Sequence, residues 1–567
     1  MYRRAASTLK SRLRHIHTSS PLRQQPPYAS PAIIVSAVVI SGALIWRSSR
    51  EIIHNDGEWP SPSQPPSKGT RDSYVKNSDA LQSVVWGSNR SKTLLLDKED
   101  PDSIRVPAIA EWLEDVALRD LVLHKDHAAC VDARGDVYQW GAGHRGSAEN
   151  DSPALTLRNK NIVQLQLTET KVYALSASGK IYATEASASR QSLHAGSPTQ
   201  SPWWSMGWLW SQEETVGFVE IKPQQALKRR ESFVSMSAGN DHLLALTNTG
   251  RAFSHPVNSN ANVYGQLGFR KIEVPDPSHT FGHSVLQVQL VPKSMSGISS
   301  GQGHGMYLSW KDNDTINFCP TIYEIPSLRG VPVRQVAAGG RNSFIRTTSG
   351  RVLGWGANEY GQIGLGGSVT VPTITVPTEV IPWRMSHQAH SKCVDISAGG
   401  DLTCFKVEYP DEGKADIFMC GNGQWGGLGN NLFSNAQGTP VRAKNIGNLS
   451  EYSDATRSIV PIVPRSVSVS QTGHVLLTLD TTDGGRAGCD LLAWGKNQDS
   501  ELGNGKKSSV PVPTTVNMGD ERTILRKRMK AKVTDLQGRL WSRKAEVEQT
   551  ALAGYNNSVV YWKIRNL

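Results

Sequence analysis

Residues 331–366, VPVRQVAAGGRNSFIRTTSGRVLGWGANEYGQIGLG, decide the fold. The stretch holds a short strand, Gly339-Gly340, a second strand, a Ser349-Gly350 turn and a third strand. It then runs through Trp355-Gly356-Ala357-Asn358-Glu359-Tyr360-Gly361-Gln362-Ile363-Gly364. Ser-Gly suits a tight turn between hairpin strands. Paired glycines permit positive φ and close backbone approach. Trp, Tyr and Leu supply filling between neighbouring sheets. A unit this short cannot bury its own faces, so copies of it should follow one another.

Copies do recur. One covers 234–255 with its Gly-rich tail at 262–268. Another covers 394–407 and 417–429, and a third covers 467–480, 491–497 and 501–503. Two weaker copies lie at 126–141 and 171–182. The Gly-rich string 301–305 has the look of a further start, but Gly303 and Gly339 stand too close for a full unit, so 270–320 reads as an insertion. The last copy is split. Residues 84–89, VVWGSN, are a second half only, and 552–560, LAGYNNSVV, are a first half only. Joining the two ends of the chain in one sheet closes a ring and removes its open edges. The expected architecture is all-β: a seven-bladed β-propeller over 81–565, closed by N- and C-terminal strands and preceded by one transmembrane helix.

The Ala-Gly-Gly strand, the Ser-Gly turn, the Trp-Gly-x-Asn step and the Tyr-Gly-Gln-Leu/Ile-Gly loop resemble the regulator of chromosome condensation repeat. The resemblance covers about 84–562, is most specific at 331–366 and weakest before 185. It implies a seven-bladed propeller. The founding member of that family exchanges guanine nucleotide on a nuclear small GTPase and binds chromatin.

The first 27 residues read as a mitochondrial presequence. Tyr2, Ala6, Leu9, Leu13 and Ile16 fall on one arc of a helical wheel, Arg3, Arg4, Lys10 and Arg14 lie opposite, and no acid occurs. Arg- and Ser-rich, acid-free composition marks a transit peptide. Residues 28–46 carry no charge and end in GALIW, close to the ~20 residues that cross a bilayer. Trp46 suits the interface, and Arg47 and Arg50 follow as polar stops. Residues 47–80 form a polar, Pro- and Ser-rich linker. These segments place the chain in the mitochondrial inner membrane as a single-pass protein. A stop-transfer reading favours the intermembrane space for the propeller, whereas Arg47, Arg50 and Pro31 also suit a matrix-facing domain.

The net charge of +11 is concentrated in two places. Residues 1–50 contribute +8 and residues 522–544 another +8, so the remaining body is mildly acidic. That distribution argues against a nucleic-acid surface. None of the six cysteines forms a Cys-x-x-Cys pair or has zinc spacing with histidine, so buried thiols are expected and no metal site. Gly421-x-Gly423-x-x-Gly426 matches a dinucleotide fingerprint by pattern, but no helix follows it. His127, His242, His304 and His474 have no nucleophile beside them in any local signature. No catalytic residue and no cofactor are expected.

Three departures from the repeat are expected to carry specificity, since binding residues sit on loops of rigid scaffolds. The insertion near 185–225 holds Trp203, Trp204, Trp208 and Trp210. These could cap a blade edge, contact a partner or meet a membrane. The insertion at 270–320 shows no chemistry. In 518–548, Leu525, Met529, Val533, Leu536 and Leu540 fit one face of a helix, with Arg526, Lys527, Arg528, Lys530 and Lys532 around the remainder. Such a helix packs on the propeller, or it meets anionic lipid, RNA or an acidic partner.

These features favour a non-catalytic inner-membrane scaffold working through protein contacts. The chain resembles fungal mitochondrial, membrane-anchored members of the family, which implies respiratory-chain assembly, notably of the cytochrome b–c complex (complex III). Its partners would then be inner-membrane assembly intermediates and, through 28–46, the bilayer. Exchange on a mitochondrial small GTPase and association with matrix RNA or ribosomes are the competing readings.

Overall fold

The computed structural model describes residues 80–97, 99–146, 152–191, 216–275, 285–295, 315–367, 371–380, 391–453, 456–483, 486–518, 521–522 and 524–565. All lie in one compact unit, Asn77–Leu567. The presequence, the membrane segment, nearly all of the linker and the four tryptophans at 203–210 fall outside the described residues. Among those described, no helix is long and apolar enough to cross a membrane.

The fold is an all-β propeller. Its units are antiparallel four-stranded sheets. The quoted repeat forms Val333–Ala338, Asn342–Thr347, Val352–Ala357 and Thr373–Val380. Lys392–Gly399, Leu402–Tyr409, Lys414–Gly423 and Ser434–Arg442 form the next sheet, and Val463–Val469, His474–Asp483, Arg486–Gly495 and Val510–Thr515 the one after. Upstream, Asp120–Leu123, Ala128–Val131, Val137–Trp140 and Ala154–Leu157 make the same arrangement. Two further sets of four run from Ile162–Leu167 to Phe218–Pro223 and from Phe233–Ala238 to Thr321–Glu324. They are joined by a parallel pairing of Lys222 with Thr321.

The remaining sheet draws on both ends of the chain. Its order is Ser103–Ile109, Val84–Ser88, Asn557–Ile564, Leu540–Ala553, Met529–Thr534. Val84 pairs with Val560, Val85 with Val559 and Trp86 with Ser558. The two half-repeats read from the sequence thus meet in this closing sheet.

The glycine of the Trp-Gly step has a specific cause. Gly356 sits at φ +107, and a Cβ there would come within 2.6 Å of the Arg341 carbonyl oxygen. Only glycine tolerates both the dihedral and the approach. Gly87, Gly141, Gly421 and Gly495 share the conformation at the same step of their own sheets.

First strands of neighbouring sheets lie side by side without a backbone ladder. Polar side chains take over the missing bonds. Asp120 accepts from Leu165 N, and Gln164 exchanges two bonds with the Met236 backbone. Ser237 accepts from Ala338 N, Gln335 exchanges bonds with Ile396, and Ser468 accepts from Ala553 N. Each bond satisfies a backbone group in the crowded centre, where an unpaired one costs more than the bond returns. Farther out, Trp86, Trp140, Trp355 and Trp494 are fully buried. Each indole N–H donates to a carbonyl of the preceding unit: Glu501 O at 2.7 Å, Thr93 O at 3.1 Å, Gln266 O at 2.9 Å and Gly427 O at 2.9 Å.

One expectation needs correction. The segment 518–548 is not a helix. Ile524–Arg526 adds to the sheet of Arg486–Gly495, and Met529–Thr534 and Leu540–Ala553 are strands of the closing sheet. The reason is a period of two: Met529, Ala531 and Val533 turn inward while Lys530 and Lys532 are exposed. The expected apolar helical face is not one surface, since Leu525 is buried and Leu540 exposed. Within 270–320, Lys271–Pro275 and Val285–Gln289 form a separate two-stranded hairpin that packs with Phe318 and Tyr323, and Thr321–Glu324, directly after that range, is the fourth strand of its sheet.

A buried carboxylate gives the fold an acid-sensitive element. Glu231 accepts from Thr247 and Thr249 hydroxyls, from Lys228 N and from Arg251 at 2.9 Å. Burial opposes its charge, but these donors outweigh it and hold the carboxyl down to about 2. A depressed carboxyl contributes stability that is complete above its unfolded pKa and is lost as pH falls toward its folded value. Glu231→Gln is expected to cost about 1–2 kcal/mol at neutral pH. The difference from wild type in urea midpoint should shrink as pH drops below 4.5. A pH-independent difference would contradict this assignment.

Candidate functional site

The first turns of the sheets form a rim around one end of the inner strands. Asn240 N donates to Gly340 O and Gly340 N to Gly400 O, both at 2.8 Å, and Gly400 N donates to Gln471 Oε1 at 2.7 Å. Thr472 Oγ1 bonds Tyr555 O, and the Tyr555 ring lies 5.6 Å from that of His124. Around this rim stands a charged and aromatic group. Arg341 lies over the Tyr264 ring at 4.7 Å and bonds its hydroxyl at 2.7 Å. The same guanidinium reaches Glu359 at 3.0 Å and Asp401 at 3.5 Å. Tyr360 follows Glu359 on its loop, and Trp425, on the loop after Asn422, is 36% exposed. Tyr, Trp and Arg on a rigid frame are the side chains that anchor protein interfaces.

A second feature is a cleft of about 1000 Å³ between the closing sheet and its neighbour. Arg465, Lys527, Arg528, Lys563 and Arg565 line it, facing Glu548. Most of these cations already have acids: Arg465 and Arg565 hold Glu548 at 2.8 and 2.6 Å, Lys527 holds Asp480 at 3.0 Å, and Lys563 holds Asp120 at 3.0 Å. Asp120 is also the main reason that the Lys563 ammonium is held above the ordinary lysine range. The cleft is a seam of ion pairs that could admit an anionic group only by competing with them.

The five cations singled out in the sequence therefore separate. Lys527 and Arg528 enter the cleft, the latter 3.7 Å from Glu546. Lys530 and Lys532 are exposed on Met529–Thr534, an edge strand of the closing sheet. Lysines there oppose pairing with another chain. Arg526 is exposed, and its backbone N donates to Gln549. Trp203, Trp204, Trp208 and Trp210 lie outside the described residues.

Two arrangements invisible in the sequence resemble nucleophile–base pairs. His242 Nε2 lies 2.9 Å from Ser343 Oγ, and His474 Nε2 lies 3.2 Å from Ser558 Oγ. The serine hydrogens are committed: Ser343 donates to Gln266 O and Ser558 to Glu501 O, both at 2.8 Å. Each imidazole must then donate to its serine, the reverse of a general base. All four residues are fully buried. Burial lowers His242 to about 4 and His474 to about 3, which keeps them neutral. They are inter-sheet ties. All six cysteines are buried, and burial pushes Cys319 and Cys489 up to about 11 and Cys393 to about 12, so none offers a thiolate. Gly421 and Gly423 end a strand and are followed by a turn, not by a phosphate-binding helix.

The repeated sheets, the Trp-Gly steps and the rim define a regulator-of-chromosome-condensation-type β-propeller, and the chain carries that repeat: residues 333–362 and 349–405 match it directly. Among curated proteins, it is 21% identical to the mitochondrial protein FMP25 of Saccharomyces cerevisiae over 85% of this chain and 72% of that one. It is 23% identical to the mitochondrial RCC1 domain-containing protein RUG3 of Arabidopsis thaliana, over 63% of this chain and 65% of that one. Among solved structures, Prp20p from Saccharomyces cerevisiae superposes with a TM-score of 0.52 at 15% identity, covering 86% of this chain and 93% of that chain. Human WBSCR16 superposes with a TM-score of 0.52 at 16% identity, covering 86% of this chain and all of that one. These likenesses concern the fold.

Proposed function

We propose that this chain is a mitochondrial inner-membrane scaffold, in which a seven-bladed propeller over 81–565 is delivered by a presequence at 1–27 and tethered by a single span at 28–46. The observation that carries the reading is the likeness to a mitochondrial protein over 85% of the chain. It agrees with the acid-free, Arg-rich N-terminus. The scaffold is non-catalytic and binds through the rim, where Arg341, Tyr264, Tyr360 and Trp425 stand on one rigid face. Its partners are inner-membrane intermediates of respiratory-chain assembly, in particular of complex III.

Deleting the protein is expected to lower assembled complex III on native gels, and the intact chain should restore it. A chain carrying Arg341→Ala and Trp425→Ala should accumulate normally yet fail to restore the complex. Unchanged complex III in the deletion strain would overturn the assembly role. Full restoration by the double variant would move the contact away from the rim.

A further inference from the structure

The turn 124–127 places an imidazole where the other turns of the rim carry glycine or a small hydroxyl residue. In each turn the residue before the bend donates its N–H to a carbonyl across the hairpin. His124 N bonds His127 O at 2.9 Å, as Gly239 N bonds His242 O, Gly339 N bonds Asn342 O and Gly554 N bonds Asn557 O. His124 therefore stands where those three turns carry glycine and where the turns at Thr168 and Ser470 carry small hydroxyl residues. His127 stands at the place of His242, which reaches Ser343 in the next sheet. The corresponding position next to His127 is Val172, which has no polar atom to offer. His127 is thus 1% exposed with its Nε2 unpartnered, and His124 Nδ1 is buried and unpartnered as well. Asp126, between them in sequence, accepts from His127 Nδ1 at 3.0 Å and leaves its side chain 47% exposed. One ligand atom from each of the three residues lies within 4.8 Å of the others.

We propose that His124, Asp126 and His127 bind a divalent transition-metal ion, with zinc as the ion whose chemistry fits best. Two imidazoles and a carboxylate suit a borderline cation and not calcium or magnesium, which take all-oxygen sites. Zinc takes nitrogen at about 2.0–2.1 Å and carboxylate oxygen at about 2.0–2.2 Å in a tetrahedron. The Asp126–His127 separation is already close to what that geometry requires. The open side at Asp126 leaves a fourth position for water or for a ligand atom from a partner docked on the rim. Bound beside Asp126 at His127 Nδ1, the metal would give the buried His124 Nδ1 the partner that the fold withholds, where an unmet polar atom is costly.

The test titrates the purified full-length chain in detergent with Zn2+ against a chromophoric chelator and records the d–d spectrum of the Co2+ form. One ion per chain is expected. His124→Gly restores the residue of the sister turns, and Asp126→Asn changes an exposed group, so both should keep the wild-type melting temperature. Each should weaken binding by more than about tenfold, the lower end of what loss of even an outer-shell partner costs a metal site. Either result would overturn the proposal: no zinc uptake by wild type beyond that of the His124→Gly chain, or undiminished uptake in both folded variants.

Discussion

A chain ending at Gly554 is expected to have no cooperative folded state. The lost strand, Asn557–Ile564, lies between Val84–Ser88 and Leu540–Ala553 and pairs with both. Val559, Val560, Tyr561, Trp562 and Ile564 are each under 5% exposed. At about 1.5–3 kcal/mol for each buried side chain, their removal forfeits on the order of 10 kcal/mol, comparable to the whole stability of a typical domain. Two bonds to the entry of the first inner strand also go: Leu118 N to Trp562 O at 2.8 Å and Ile564 N to Leu118 O at 2.9 Å. The strands left behind present two unpaired edges, which favour association. Circular dichroism and size-exclusion chromatography of the truncated chain should show no sharp melt and material in the void volume. A monomer that melts cooperatively would contradict it.

The second large effect is expected from Trp86→Ala. Trp86 is fully buried, its indole N–H donates to Glu501 O at 2.7 Å, and it packs in the core shared by the closing sheet and its neighbour. Truncating a buried tryptophan costs about 3–5 kcal/mol, and Glu501 O keeps the Ser558 hydroxyl as its remaining donor. Trp425→Ala, at a site 36% exposed, is expected to change stability by less than about 0.5 kcal/mol. Urea midpoints of the two variants separate these outcomes, and equal midpoints would show that Trp86 does not tie the sheets.

The sequence carried most of the architecture because the determinants are local. A Ser-Gly turn, a Trp-Gly step and the Tyr-Gly-Gln loop each need particular residues within four or five positions. The closure was legible because VVWGSN and LAGYNNSVV are complementary halves of one repeat. The error at 518–548 arose where the repeat fades. The spacing of Leu525, Met529, Val533, Leu536 and Leu540 fits a helix, while Met529, Ala531 and Val533 fit a strand equally well. Pairing with Leu540–Ala553 decides between them, and that is a tertiary effect. The candidate sites were less legible because they depend on distance across the fold. Ser343 lies 101 residues from His242. His124 becomes conspicuous only once its turn is superposed on those of Gly239 and Gly339.

The central claim, that both ends of the chain share one sheet, has a direct test. Ser88 N donates to Asn556 O, so Ser88 faces Asn556 in a hydrogen-bonded pair, and Val85 and Val559 fall on a non-hydrogen-bonded pair with close Cβ atoms. In a chain carrying Val85→Cys and Val559→Cys, oxidation should link these two positions, and mass spectrometry of the digest should recover the peptides around 85 and 559 as one disulfide-bonded species. Free thiols at both positions in folded, oxidised protein would contradict the closure.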